Sequence, residues 1–323
     1  MTKTNNKVLI IDSYNLFIRS YVVDPSLDMN GNPIGGCKGY LKSLQKFVRQ
    51  IKPSKIIAVW DGDGGSSRRR TLIKDYKRGR RACGHLNRAY NLTDVEETES
   101  KIEQLSRTIE YLNLMPVIQL MIDSVEADDV IAKICQMQEL KDCIKIILSS
   151  DKDFIQLCSE DTILLRPTQD EILNTYRVVE KYGIHPNNYA LARAISGDKS
   201  DNIRGIRGGG LKTIAKRFPF LSESKFYSID ELVQYAKVEK ENKPLKIYEE
   251  VIKSRKNIET NYRAIQLYSS NIPSRNSEFI RNTITEFSPT FNKTGVVKLM
   301  INDGMTDFNW QNLFQHFRLL ASS

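Results

Sequence analysis

Cysteine and histidine are scarce in this chain of 323 residues. Five cysteines (Cys37, Cys83, Cys135, Cys143 and Cys158) form no C-x-x-C pair, and only His85, His185 and His316 could supply imidazole. That scarcity argues against a thiolate or imidazole zinc centre. An odd thiol count without paired spacing reads as reduced, mostly buried cysteines of a cytoplasmic protein. Long apolar runs are missing too. Met1–Lys7 is polar and the run after it, Val8–Ile11, is far shorter than a signal-peptide core or a membrane span. A cytosolic protein with no membrane partner is therefore expected. No internal repeat and no low-complexity tract is present, which sets aside solenoids and disordered linkers.

What is there is ordinary globular composition with a basic excess, 48 Lys+Arg against 39 Asp+Glu, a formal charge of +9. Such a balance is compatible with a nucleic-acid partner, but its distribution carries the information. Three short apolar runs read as buried parallel strands, and each leads into aspartate: Val8–Ile11 into Asp12, Ile56–Trp60 into Asp61, and Ile144–Leu148 through two serines into Asp151 and Asp153. Helical patterns separate them, at Leu41–Ile51, Ser100–Leu112 and Ala127–Gln138. Strands alternating with helices predict a doubly wound α/β sheet, whose ligands bind outside the carboxyl ends of its strands. From about Gly183–Pro186 the pattern becomes helical. Amphipathic helices are expected over Ile229–Lys240 and Leu245–Ser254, and polar loops over Ser269–Thr294.

Nine carboxylates stand at these punctuated positions: Asp12, Asp61, Glu126, Asp128, Asp129, Asp151, Asp153, Asp198 and Asp201. The segment Asp123–Val130 reads as a helix start, which places its acids in the first turn, where the helix dipole favours negative charge. A single aspartate at such a place is usually a cap or a turn residue. Those after the three strands converge at one sheet edge, and several carboxylates clustered in this way repel one another unless cations are supplied. Oxygen ligands without sulfur or imidazole select Mg²⁺, with Mn²⁺ as a substitute. Two such ions, about 3.5–4 Å apart, activate water and neutralise a scissile phosphate.

Directly after Trp60-Asp61-Gly62, residues 66–81 hold eight basic side chains (Arg68, Arg69, Arg70, Lys74, Lys77, Arg78, Arg80 and Arg81) and one acid, Asp75. A run of this density beside an acidic site is suited to phosphate neutralisation, and Tyr76 is a candidate for stacking on a base. A solvated surface run would carry the same residues.

Six motifs then occur in order: Ile11-Asp12-x-x-Asn15-Leu16, Trp60-Asp61-Gly62, Tyr76-Lys77, Glu126-Ala127-Asp128-Asp129, Ser150-Asp151-Lys152-Asp153-Phe154, and Gly197-Asp198-x-x-Asp201-Asn202-Ile203-Arg204-Gly205. In this the chain resembles the flap endonuclease and 5′-3′ exonuclease family, especially its stand-alone bacteriophage members of the phage ribonuclease H type. The resemblance spans residues 8–217. It implies a PIN-like nuclease core: a twisted, mainly parallel sheet with helices on both faces over residues 1–182. A helical arch at about 62–99 is implied as well, with a mainly helical domain over 183–323.

It also implies a first metal around Asp12, Asp61, Glu126 and Asp128, and a second around Asp151, Asp153 and Asp201, with Asp129 and Asp198 nearby. Lys77 is implied at the scissile phosphate, and Arg19 at a second basic position. The implied partners are DNA with a 5′ flap or free 5′ end and RNA–DNA hybrid, with single-strand-binding protein or a sliding clamp as further candidates. A monomer is expected.

Residues 203–216 resemble the family's helix–hairpin–helix. Gly208 and Gly210 match its two glycines, and Lys212 and Thr213 the polar start of its second helix; glycine lets backbone approach a phosphate closely. Gly209 and Leu211 depart from the pattern, which has an apolar residue and a proline there. Gln311–Phe317 has the look of a clamp-binding peptide, although a terminal helix burying Leu313, Phe314 and Phe317 accounts for it better. Two other readings compete. A catalytically silent branched-DNA binder on the same fold gives no reason for nine acids facing phosphate. An aspartate-nucleophile phosphohydrolase wants a second acid two residues after Asp12, and Tyr14 stands there.

Overall fold

In the computed structural model, residues 6–79, 90–268, 272–305 and 309–322 are described. Strand β1 (Lys7–Asp12) lies at its centre because its residues are apolar on both faces. Val8 and Ile10 enter one buried cluster and Leu9 and Ile11 the other, the two-residue period of a strand covered on both sides. β2 (Lys55–Trp60) repeats the arrangement, with Ile57 and Val59 on one face and Ala58 and Trp60 on the other. β3 (Ile118–Met121), β4 (Ile144–Leu148), β5 (Thr162–Arg166) and β6 (Glu171–Leu173) complete a six-stranded sheet of order β3-β2-β1-β4-β5-β6. All are parallel except β6, which runs antiparallel to β5 at the edge. The strand order reverses direction between β1 and β4, so a crevice opens beyond their carboxyl ends.

Helices α1 (Ser13–Val23) and α2 (Gly35–Ile51) cover one face, and the short α3 (Ser67–Leu72) follows β2. α4 (Asp94–Asn113) starts at a Thr93/Glu96 capping box and returns to the α1/α2 face. α5 (Ala127–Cys135) lies on the opposite face. α6 (Thr175–Tyr182) ends at Gly183, in the left-handed region at φ 64°, and α7 (Pro186–Ser196) begins with proline at its first position. The boundary expected at Gly183–Pro186 falls at this turn. The packing does not break there: one core runs from Val8 and Ile147 through Leu191 and Leu232 to Ile284.

Beyond α7 come the small hairpin β7 (Gly197–Asp198) and β8 (Ile203–Arg204), then α8 (Leu211–Arg217), α9 (Ile229–Asn242), α10 (Lys246–Lys253) and α11 (Arg255–Ile265). α9 and α10 fall where their amphipathic patterns predict. The polar stretch read as loops contains α12 (Ser274–Thr285), whose Ile280 and Ile284 are buried while Arg275, Glu278, Phe279 and Arg281 face outward. Strands β3, β5 and β6 were absent from the sequence expectation, being short or partly polar. After α13 (Lys293–Asn302), α14 (Gln311–Ser322) returns to the sheet's other face and buries Leu313, Phe314 and Phe317 beside Trp310. Those side chains are core, as the favoured terminal-helix reading expects. No helix among the described residues is long and apolar enough to cross a membrane.

Candidate metal-dependent active site

The crevice is built from strand ends. Asp12 closes β1 and caps α1, accepting a hydrogen bond from the Asn15 N–H at 3.4 Å and another from Ser149 Oγ at 2.7 Å. Burial, followed by the Asp151 and Asp61 carboxylates, pushes its carboxyl up to about 7 against the Ser149 hydrogen bond. Asp61 follows β2 and accepts the Ala127 N–H at 2.9 Å, which ties it to the start of α5. Glu126 is the N-cap residue of α5, and Asp128 and Asp129 stand in its first turn, as the sequence predicts. Burial and then Asp151 raise the Asp128 carboxyl well above the ordinary range. After β4, Ser149 Oγ accepts the Asp151 N–H at 3.0 Å, and Asp151 accepts the Asp153 N–H at 2.8 Å. A serine–aspartate turn thus strings Asp12, Asp151 and Asp153 along one wall.

The other wall comes from the helical part. Carboxylate oxygens of Asp153, Asp198 and Asp201 lie within 4.8 Å of one another. Burial and then Asp151 push the Asp153 carboxyl up to about 7, although Arg193 lies close. Asp198 belongs to this group as directly as Asp201, nearer than the outlying role its motif position implied. Its carboxyl is held low despite burial, by Ser200 and by Arg193. Buried carboxylates that raise one another's pKa, with no sulfur or imidazole among them, are the donor set of a hard divalent cation.

Cations edge the acids. Lys77 Nζ sits 2.5 Å from Glu126 Oε1, and Asp128 and Glu126 raise its pKa to about 12 against the opposing effect of burial. Arg69 is not on the surface. It donates through Nη1 to Glu126 and to Asp129 at 2.7 Å, and through Nε to the Ala264 carbonyl of α11 at 2.8 Å. Its nucleic-acid role is therefore corrected: the guanidinium is consumed in a buried ion cluster that pins α3 over α5. Asp129 is likewise turned to Arg69, and to Arg68 at 3.8 Å, rather than to the other acids. Tyr76 is also corrected, since its ring is 3% exposed and packs on Ala190, Ile203 and Ile265, with no face for a base. Arg70, Lys74 and Arg78 are exposed and Arg68 is partly so, while Arg80 and Arg81 lie outside the described residues. Arg19 donates to Ser150 Oγ at 2.7 Å, which places it beside the loop carrying Asp151.

In the hairpin region, Gly208 has φ 76° and Gly210 caps α8, with open space beside both. Lys212 and Thr213 are exposed. A Cβ at Gly209 would fall 2.5 Å from Ile206 Cγ1, so the departure from pattern there has a packing reason.

Sequence reasoning missed Arg193. On α7 it donates to Asp153 Oδ1 at 3.2 Å, to Asp198, and to the Gly197 carbonyl at 3.2 Å. A lone arginine five residues before Asp198 has no motif to announce it. Arg166, which donates to the Ser150 carbonyl at 3.2 Å, was missed for the same reason.

Acids converging at the switch point of a parallel sheet, under a basic segment, define a nuclease. The chain belongs to the 5′-3′ exonuclease family: the model of its N-terminal resolvase-like domain matches residues 7–183. A 5′-3′ exonuclease of Buchnera aphidicola subsp. Schizaphis graminum is 32% identical over 215 residues, which are 66% of this chain and 70% of that one. Another from Aquifex aeolicus is 30% identical over 205 residues, covering 63% of this chain and 66% of the relative. Among solved structures, the bacteriophage T5 flap endonuclease in complex with DNA and metal ions superposes with a TM-score of 0.63. It has 17% identity and covers 93% of this chain and 98% of that one, a likeness in fold.

Proposed function

We propose that this protein is a structure-selective 5′ nuclease that hydrolyses phosphodiester bonds at flaps, nicks and RNA-primed 5′ ends. The observation carrying this reading is the line of carboxylates in which Ser149 and the turn after it join Asp12, Asp151 and Asp153, and Asp153 meets Asp198 and Asp201 within 4.8 Å, with Asp61 and Asp128 at the start of α5 and Lys77 over Glu126 beside it. Asp12, Asp61, Asp128 and Asp151 would hold one Mg²⁺ and Asp153, Asp198 and Asp201 a second; this differs from the expected sets in moving Asp151 to the first ion and leaving Glu126 to its ion pairs with Arg69 and Lys77. Such ions supply an activated water and neutralise charge on the phosphate. Lys77 adds a fixed positive charge where the pentacovalent phosphate becomes more negative. Arg19 approaches from α1 and contacts phosphate rather than reacting atoms.

The described parts of the expected arch segment, residues 62–79 and 90–99, flank the path of a free 5′ end, with Arg68, Arg70, Lys74 and Arg78 as phosphate contacts; residues 80–89 of that segment lie outside the described residues. The duplex is held by α7, the β7–β8 hairpin and α8, acting as a helix–hairpin–helix through Gly208, Gly210, Lys212 and Thr213. These contacts position the substrate and read no sequence. The protein acts as a monomer. A silent branched-DNA binder would gain nothing from the acid line.

The test compares 5′-labelled flap, nicked duplex and RNA–DNA hybrid substrates with Mg²⁺, wild type beside Asp151→Ala. Cleavage of all or some by wild type and loss in the variant are expected. Tight binding without cutting by wild type would favour the silent binder.

A further inference from the structure

Two residues without the freedom of glycine face each other in left-handed backbone conformations, Lys77 at φ 52° and Asn202 at φ 58°. Asparagine tolerates that region, whereas lysine adopts it only where its surroundings compel it. The compulsion is visible. The Lys77 N–H donates to the Asp201 carbonyl at 3.1 Å. The Asn202 side-chain amide donates to two further carbonyls of the same turn, that of Asp75 at 3.0 Å and that of Arg78 at 2.6 Å. Three hydrogen bonds therefore staple the turn that presents Lys77 to the hairpin that presents Asp198 and Asp201. The staple also joins the two walls of a cleft of about 570 Å³, one carrying Arg78 and the other Lys199 and Arg204.

We propose that Asn202 is a positioning residue that locks Lys77 over the acid line, so that the placement of the arch base depends on the hairpin. The amide is chemically suited to this role because it offers two donors to two carbonyls on either side of Lys77. Without it, the Arg78 carbonyl loses that donor, and of the cross-links from the hairpin to the turn the Asp201 contact alone is left, beside the turn's own Arg78 N–H bond to the Asp75 carbonyl at 2.9 Å. Asp201 itself would keep its place, because β7 and β8 pair independently of the staple. The loss would therefore fall on the position of Lys77 rather than on the acids.

The inference rests on the nuclease reading for its kinetic arm and on geometry alone for its structural arm. Asn202→Gly keeps the left-handed conformation accessible while deleting both donors. Hydrogen exchange on wild type and variant should show faster exchange confined to residues 75–78, with α5 and the central strands unchanged. Mn²⁺ affinity measured by calorimetry should stay within about twofold, a shift too small to displace an acid. On a flap substrate, kcat should fall on the order of 10- to 100-fold with KM nearly constant, as for a misplaced catalytic group. The double variant Lys77→Ala/Asn202→Gly should be no slower than Lys77→Ala alone, because one residue acts through the other.

Unchanged exchange at 75–78, or losses that multiply in the double variant, would overturn the proposal. A wild type that cuts no substrate with Mg²⁺ or Mn²⁺ would instead remove the nuclease reading, leaving the exchange result to decide the staple.

Discussion

Arg193 on α7 holds Asp153, which follows β4, through two donors to a single carboxylate oxygen, each at 3.2 Å. This contact joins the helical part of the chain to the sheet's acids, and the same guanidinium reaches Asp198. A built-in cation thus offsets part of the repulsion among acids that a divalent ion would otherwise have to relieve alone.

Replacing that cation should be felt most when metal is absent. Arg193→Met leaves Asp153 and Asp198 facing each other unpaired, and a broken buried pair costs about 3–5 kcal/mol. Urea unfolding of metal-free protein at pH 8 should read a loss of that order, with Arg193→Lys recovering part of it. A variant as stable as wild type would mean that Arg193 carries no such compensation.

The acids predict how stability changes with pH. Asp12 and Asp153 have carboxyls pushed up to about 7 in the fold, against about 4 in an unfolded chain. Between those values the folded state binds more protons, so their contribution falls as pH rises and is lost above about 7. Divalent ions reverse this by binding the charged form, in competition with protons. Thermal melts should therefore show Mn²⁺ raising Tm more at pH 8 than at pH 5.5. Asp12→Asn should flatten the metal-free pH dependence.

Asp151 adjoins both groups of acids, and Lys77 faces Glu126. Asp151→Ala and Lys77→Ala should each lower turnover by about 10²–10³ or more, the scale of a lost electrostatic contact to the reacting phosphate. Flap affinity by fluorescence anisotropy should be largely kept. Near-normal cleavage by Asp151→Ala would sink the two-metal assignment.

The basic segment divides into buried and exposed members. Arg69→Ala should destabilise the fold by about 3 kcal/mol or more, because it leaves Glu126 and Asp129 without their buried partner. Arg70→Ala should leave stability within about 0.5 kcal/mol and flatten the salt dependence of DNA binding by close to one unit of slope. Equal effects of the two on stability would contradict the burial of Arg69.

The chemistry was legible in the sequence wherever it follows the ends of apolar runs. Strands β1, β2 and β4 are buried on both faces, so their residues are continuously apolar and the aspartate after each marks the sheet's carboxyl edge. The helix start at Glu126–Asp129 was equally readable, because acids in a first turn follow from the dipole. β3, β5, β6 and α12 were not, since short or polar-coated elements are held by their neighbours rather than by their own pattern. Arg69 and Arg70 are identical in sequence, and only packing against Asp129, Glu126 and the Ala264 carbonyl made one of them interior.

By itself, then, the sequence determined a parallel α/β core, an oxygen-ligand acid set and a basic segment beside it, because burial and like-charge repulsion act through residue type and local period. Only the tertiary structure decided which cations face inward, that Arg193 and Asn202 join the hairpin to the site, and that Tyr76 is core. Those outcomes depend on contacts between residues that lie far apart along the chain, and no local pattern records which partner a side chain will meet.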